Sequence, residues 1–181
     1  LVSQGDPRSQ WHSLSSLEEV VLTHTTVTRE EAKYIASLQT VIDLEITDTV
    51  FNRGALEPLS KMKGLKSLSL EFASHGSSNS AQKAEIDDKF FAFLDGLTEL
   101  EALTLSTKVE EETFNRISRL RQLSWLSLAG LADVSADSAS AISGLDQLEN
   151  LLIHSIEDPT PLLNGLVDHR RLNQLWLETT K

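Results

Sequence analysis

Leucine and its aliphatic substitutes recur in this chain in a fixed frame, LxxLxxLxL, and no other feature restricts the possible folds so much. The frame first occupies Leu14, Leu17, Val20 and Leu22. It returns as Leu38/Val41/Leu44/Ile46, Met62/Leu65/Leu68/Leu70, Leu97/Leu100/Leu103/Leu105, Leu120/Leu123/Leu126/Leu128 and Leu145/Leu148/Leu151/Ile153. A last copy, His169/Leu172/Leu175/Leu177, carries one substitution. Measured on the final residue of each set, the spacings are 24, 24, 35, 23, 25 and 24. Self-similarity at such a period is the mark of one supersecondary unit stacked on copies of itself.

Each unit carries a second apolar mark, at Val27, Val50, Ile86, Val109, Val134 and Ile156. In most units a residue that caps helices follows: Thr28, Asn52, Asp87, Ser135 or Asp158. Such side chains accept a bond from an amide of the first helical turn. Thr28 with Glu31 spells a capping box, and Pro159 follows Asp158 where a first helical position should be. Helices are therefore expected through Glu30–Leu38, Asp88–Leu97, Glu111–Leu120 and Ala136–Leu145, each delivering apolar residues into the next strand. Short parallel strands joined by helices cross over in the right-handed sense, so the units should stack into a curved solenoid.

The segments Leu22-Thr-His-Thr25-Thr-Val27-Thr28 and Ile46-Thr-Asp-Thr49-Val50 resemble the LxLxxTxVT form of bacterial 24-residue leucine-rich repeats. The resemblance runs from about Trp11 to Leu177 and implies an α/β horseshoe: a concave parallel sheet of about seven strands, with convex helices. Many leucine-rich repeats place Asn three residues after the last strand leucine. Here the equivalent residues are Thr25, Thr49, Ala73, Lys108, Leu131, Ile156 and Thr180, so less regular stacking is expected at those turns. Residues 1–181 should form a single domain, with 1–13 an N-terminal helix or half-repeat signalled by Asp6-Pro7, and a long third-repeat loop over 72–86. No polar cap is visible after Leu177, and with no initiator Met the chain reads as a piece of a longer one.

Composition removes several functional classes. The chain has no cysteine, which excludes disulfides and thiolate metal sites and leaves the compartment open. No run of apolar residues is long enough for membrane insertion. A net charge of −11 works against nucleic acid and against anionic membranes, both of which need clustered Lys and Arg. The acidity reads first as solubility, and second as attraction for a basic partner.

Catalytic material is sparse. There is no GxSxG, HExxH, phosphate loop or paired-Cys spacing, and no cofactor is implied. His169 stands where other repeats keep Leu or Met and reads as a partly covered core substitute. His24 and His154 lie five repeats apart, about 24 Å at the usual strand spacing, and cannot share a metal. Asp43 and Glu45 should share a strand face with Glu19 and Glu71 on its neighbours. Such a cluster can bind a cation, which keeps a metal-dependent hydrolase as a remote reading, but on a wet surface it is first a solvated acidic stripe.

Alternation along a strand turns seven triplets outward. They are Glu19/Val21/Thr23, Asp43/Glu45/Thr47, Ser67/Ser69/Glu71, Ala102/Thr104/Ser106, Trp125/Ser127/Ala129, Asn150/Leu152/His154 and Gln174/Trp176/Glu178. The first three are acidic and hydroxylic, the last three carry two tryptophans and a leucine. A tryptophan left in water forgoes roughly 2–3 kcal/mol of burial, and nothing in strand geometry requires one at an outward position. Trp125, Leu152 and Trp176, with His154 beside them and Asp43, Glu45 and Glu71 supplying orientation, are therefore the expected contact residues for a protein or peptide partner. Two other readings remain: a flanking segment covers these rings, or the uncovered last strand pairs with a second copy to give a homodimer. The strand face offers only about 450 Å², so flanking loops should contribute.

Overall fold

The structure, a computed structural model, describes residues 14–52, 54–72, 89–131 and 135–180. The half-repeat expected over 1–13, the marks Ile86 and Val134, the cap Asp87 and all of the long loop except Phe72 lie outside the described residues.

Seven strands form one parallel sheet in the order of the chain: β1 (Glu19–Thr23), β3 (Asp43–Phe51), β4 (Ser67–Phe72), β5 (Ala102–Val109), β6 (Trp125–Leu131), β7 (Asn150–Ile156) and β8 (Gln174–Thr179). A two-residue strand, β2 (Thr26–Val27), adds a second short ladder beside the end of β3. The repeat frame sets the register. Val20, Leu44, Leu68, Leu103, Leu126, Leu151 and Leu175 are successive partners, as are Leu22, Ile46, Leu70, Leu105, Leu128, Ile153 and Leu177. From β3 to β7 all of these frame residues are fully buried, together with the preceding Leu65, Leu100, Leu123 and Leu148. The core is thus a continuous column of aliphatic rungs, and every alternate residue is forced to the other face of the sheet.

Past the second rung the ladder loses its regularity. The register shifts between Ile46 and Thr49, between Leu105 and Lys108, and between Ile153 and Ile156. These are the turns where the Asn position is occupied by other residues, and each solves the problem differently. Thr49 is buried and its hydroxyl donates to the Thr47 carbonyl at 2.9 Å. Leu131 and Ile156 are buried as hydrophobes, while Lys108 swings out toward Glu157 at 3.6 Å. His24 and Asp48 adopt positive φ at equivalent places in two neighbouring units.

The convex side shows how far local sequence decides helix type. The capping box at Thr28 and Glu31 is present and opens α1 (Arg29–Ser37), whose Ala32, Ile35 and Ala36 face the core. Ser135 caps α3 (Ala136–Ala141) by accepting from the Ser138 amide, and Asp158 accepts the Thr160 amide at 2.9 Å at the start of α4 (Thr160–Leu166). α2 spans Glu111–Ile117. Asn52 does not act as the expected cap: Gly54 at φ +68 and Pro58 leave room only for a 3-10 turn, Glu57–Lys61, that starts after Leu56. The mark assigned to Val50 also moves, since Thr49 and Phe51 are the buried residues there and Val50 is only half-buried. The helix expected over Asp88–Leu97 is likewise a 3-10 turn, Ala92–Gly96. Its Gly96 lies so close to the preceding unit that a Cβ would sit 2.1 Å from the Ser60 carbonyl oxygen, which explains glycine at this crossing.

A carboxylate joins two successive convex turns. Glu111, at the start of α2, accepts from the Ser138 hydroxyl at 2.6 Å, from the Ser135 amide at 3.3 Å and from the Ser135 hydroxyl. These donors, those of Ser135 first, hold its carboxyl below the ordinary glutamate value of 4.5.

Two stability predictions follow from this packing. Leu126→Ala should cost about 2–5 kcal/mol in chemical denaturation, because a fully enclosed rung leaves a cavity. Leu175→Ala, at the same frame position but 41% exposed, should cost far less. Because a depressed carboxylate pKa stabilises the fold above its unfolded value and ceases to do so as pH falls through the folded one, the melting-temperature deficit of Glu111→Gln should be full near neutrality and shrink below about pH 4.5.

Candidate functional site

The outward face of the sheet collects the residues that sequence reading selected, and the register says which of them meet. One row across the strands runs Glu19, Asp43, Ser67, Ala102, Trp125, Asn150, Gln174; the next runs Val21, Glu45, Ser69, Thr104, Ser127, Leu152, Trp176. Leu152 and Trp176 are therefore direct partners, and Trp125 stands one row away opposite Asn150. The apolar ridge is stepped, running obliquely across three strands. Trp125 is 37% exposed and Trp176 55%, Leu152 is half-buried between them, and His154 is exposed at the end of its strand triplet.

At the other end, Glu19 and Asp43 are direct partners. Glu45 is flanked by Val21 and Ser69. Glu71 lies on the neighbouring strand two residues beyond Ser69, at the register shift between β3 and β4, and is exposed. Among the described residues no ion pair engages Glu19, Asp43, Glu45 or Glu71, and no group of three or more His, Cys, Asp or Glu is placed to hold a metal ion. Between the two ends the face is floored by small residues such as Ser69, Ala102, Thr104 and Ser127, all partly accessible. The result is a concave sheet face with a carboxylate end and an aromatic end.

His169 confirms its reading as a partly covered substitute for a rung leucine: its Nε2–H donates to the Leu145 carbonyl at 2.8 Å, one repeat away. One feature escaped sequence reading. Phe51, Phe72, Phe90 and Phe91 form an aromatic cluster with centroid separations of 5.2 to 6.5 Å, which brings the two ends of the long third-repeat segment together. The pair Phe90-Phe91 and the lone Phe72 flanking that segment were the available signal. The last repeat also leaves apolar residues exposed: Leu163 on α4, Val167 just after it, and Leu175 and Trp176 on β8. An open hollow of about 380 Å³ on the convex side, lined by Arg119, Arg121, Ser140 and Ser143 among others, contains none of the expected contact residues.

The overall fold has parallels in solved structures. An internalin (inlF) from Listeria monocytogenes superposes with a TM-score of 0.56 at 14% identity, over 95% of this chain and 49% of that one. The chain has the leucine-rich-repeat fold. The plant peptide hormone receptor RGFR1, solved in complex with RGF2, gives 0.55 at 14% identity, over 94% of this chain and 29% of that one. The leucine-rich-repeat ectodomain of the Arabidopsis thaliana receptor kinase GASSHO1/SCHENGEN3, solved in complex with CASPARIAN STRIP INTEGRITY FACTOR 2, gives 0.53 at 16% identity, over 94% and 23%. The chain thus spans half or less of the length of these three structures. No family model matches the sequence, and none of the curated proteins does.

Proposed function

We propose that this leucine-rich-repeat chain is a non-catalytic interaction module that holds a protein or peptide partner on its concave face and loop edge. The observation that carries the reading is the exposure of Trp125 and Trp176 on a strand face whose other positions, Val21 and Leu152 apart, are small or polar. Leu152 completes the anchor, His154 borders it, and Asp43, Glu45 and Glu71 orient what binds. Two of the similar structures are receptors solved with a bound factor, which agrees with such a role for this architecture. The repeat itself is taken as the bacterial 24-residue form; likeness to internalins of Listeria and to a Leptospira interrogans leucine-rich-repeat protein agrees with it.

A second reading has its own observation. Among the described residues β8 pairs with β7 alone, and its Leu175 and Trp176 are exposed, so a second copy could pair along this edge.

The double substitution Trp125→Ser and Trp176→Ser separates the two. Both side chains are outward but only partly exposed, so the variant should stay folded and melt a few degrees below the parent. It should lose at least ten-fold in capture of its partner from native extract, as expected when an anchor residue worth about 1.4 kcal/mol or more is removed. Undiminished capture by a folded double variant contradicts the concave-face reading. A parent that scatters light as a dimer, and becomes monomeric on Trp176→Ser, would favour the edge-pairing reading in its place.

A further inference from the structure

The concave face is polarised, and its two ends are held apart by a fixed number of strands. Resting on the concave-face reading, we propose that the occupant is a single extended segment of a partner that carries Lys or Arg four to seven residues from an apolar or aromatic pair. The cationic residues lie over Glu19, Asp43 and Glu45, and the apolar pair lies against Trp125, Leu152 and Trp176.

Charge is the first part of the argument. None of the 21 outward positions of the seven strands is Lys or Arg. Glu19 and Asp43 are register partners, and like charges placed directly across a pair of strands repel. Elsewhere several acids are matched: Arg29 meets Glu57, Arg116 meets Asp95 and Glu112, and Lys108 meets Glu157. Lys66, which sits at the rim immediately before β4, is held by Glu101 at 2.7 Å and does not serve the carboxylates of the face. Of the five outward acids, Glu19, Asp43, Glu45 and Glu71 lie on the first three strands of the sheet and Glu178 alone on the last, so the carboxylate end is where negative charge concentrates for another molecule to neutralise.

Geometry supplies the spacing. Asp43 and Trp125 lie in one row, three strands apart, while Glu45 and Trp176 lie in the adjacent row, five strands apart. At about 4.8 Å per strand these separations are about 14 and 24 Å, which an extended chain at about 3.3 Å per residue covers in roughly four to seven residues. The floor between them is lined by Ser69, Ala102, Thr104 and Ser127, short enough to let a backbone pass and hydroxylic enough to bond it.

The test is selection from a random peptide library of about twelve residues, long enough to cross the whole sheet when extended. The parent chain, Trp125→Ser with Trp176→Ser, and Asp43→Asn with Glu45→Gln serve as three separate baits. Each bait is first checked by melting, and every changed residue is outward. The expected result is enrichment of peptides with Lys or Arg four to seven positions from two apolar residues. Binding of such a peptide should fall about ten-fold on the Asp43/Glu45 variant at low salt, with the gap closing as salt is raised. Peptides that depend on the tryptophans but carry no cation, or that bind the Asp43/Glu45 variant equally well, overturn this inference and leave the concave-face reading standing. Peptides indifferent to the tryptophan substitutions, or no enrichment on any bait, overturn both.

Discussion

Burial of the aliphatic rungs is the interaction on which everything else in this molecule depends. A unit of two dozen residues cannot enclose its own apolar face. It becomes stable only when the next unit covers it. In the middle of the stack this covering is complete, with Leu44, Leu68, Leu103, Leu126 and Leu151 all excluded from solvent. Because these residues are in register, the strands that carry them are in register too, and the hydrogen-bonded sheet follows from the packing.

That constraint also explains why the opposite face is free to vary. Alternation puts one residue out for each residue in, so the repeat dictates where the outward side chains stand and leaves their chemistry open. Acidic, small and aromatic residues can then be distributed across the strands at no cost to the core. The outward positions show such a distribution, from Asp43 and Glu45 at one end to Trp125 and Trp176 at the other. The convex side is tied down by other means: Glu111 bonded to Ser135 and Ser138, and the backbone contact that only glycine allows at Gly96.

The strands were fully legible in the sequence because their signal is both periodic and buried, and the outward triplets came with them. The helices were legible where a cap was specific, as at Thr28 with Glu31 and at Ser135. They were misjudged where Gly54 and Pro58 shortened the turn, since the apolar pattern of a 3-10 turn and of a short helix is the same over five residues. The turns after the strands were legible only as irregular: with no Asn to impose one geometry, Thr49, Lys108 and Ile156 each shift the ladder in their own way. For the site, the residue types were readable, and the order of the outward triplets also held their rows: Asp43 meets Ser67, Glu45 meets Ser69, and Trp125 stands opposite Asn150 while Leu152 meets Trp176. What the sequence did not carry was the break in register beyond Ile46, next to Glu71.

The freedom from cysteine makes the central claim directly measurable, because any introduced pair reports alone. Ser69 and Thr104 are outward register partners although the long third repeat separates them in sequence. Ser127 lies one strand further along the same row. Neighbouring strands put Cα atoms about 4.8 Å apart, within disulfide range, and a two-strand gap of about 9.6 Å is beyond it. Under mild oxidation Ser69→Cys with Thr104→Cys should close to an intramolecular disulfide, and Ser69→Cys with Ser127→Cys should stay reduced. Failure of the first pair to close, or closure of the second in preference to it, would contradict the stacked parallel rungs on which the account rests.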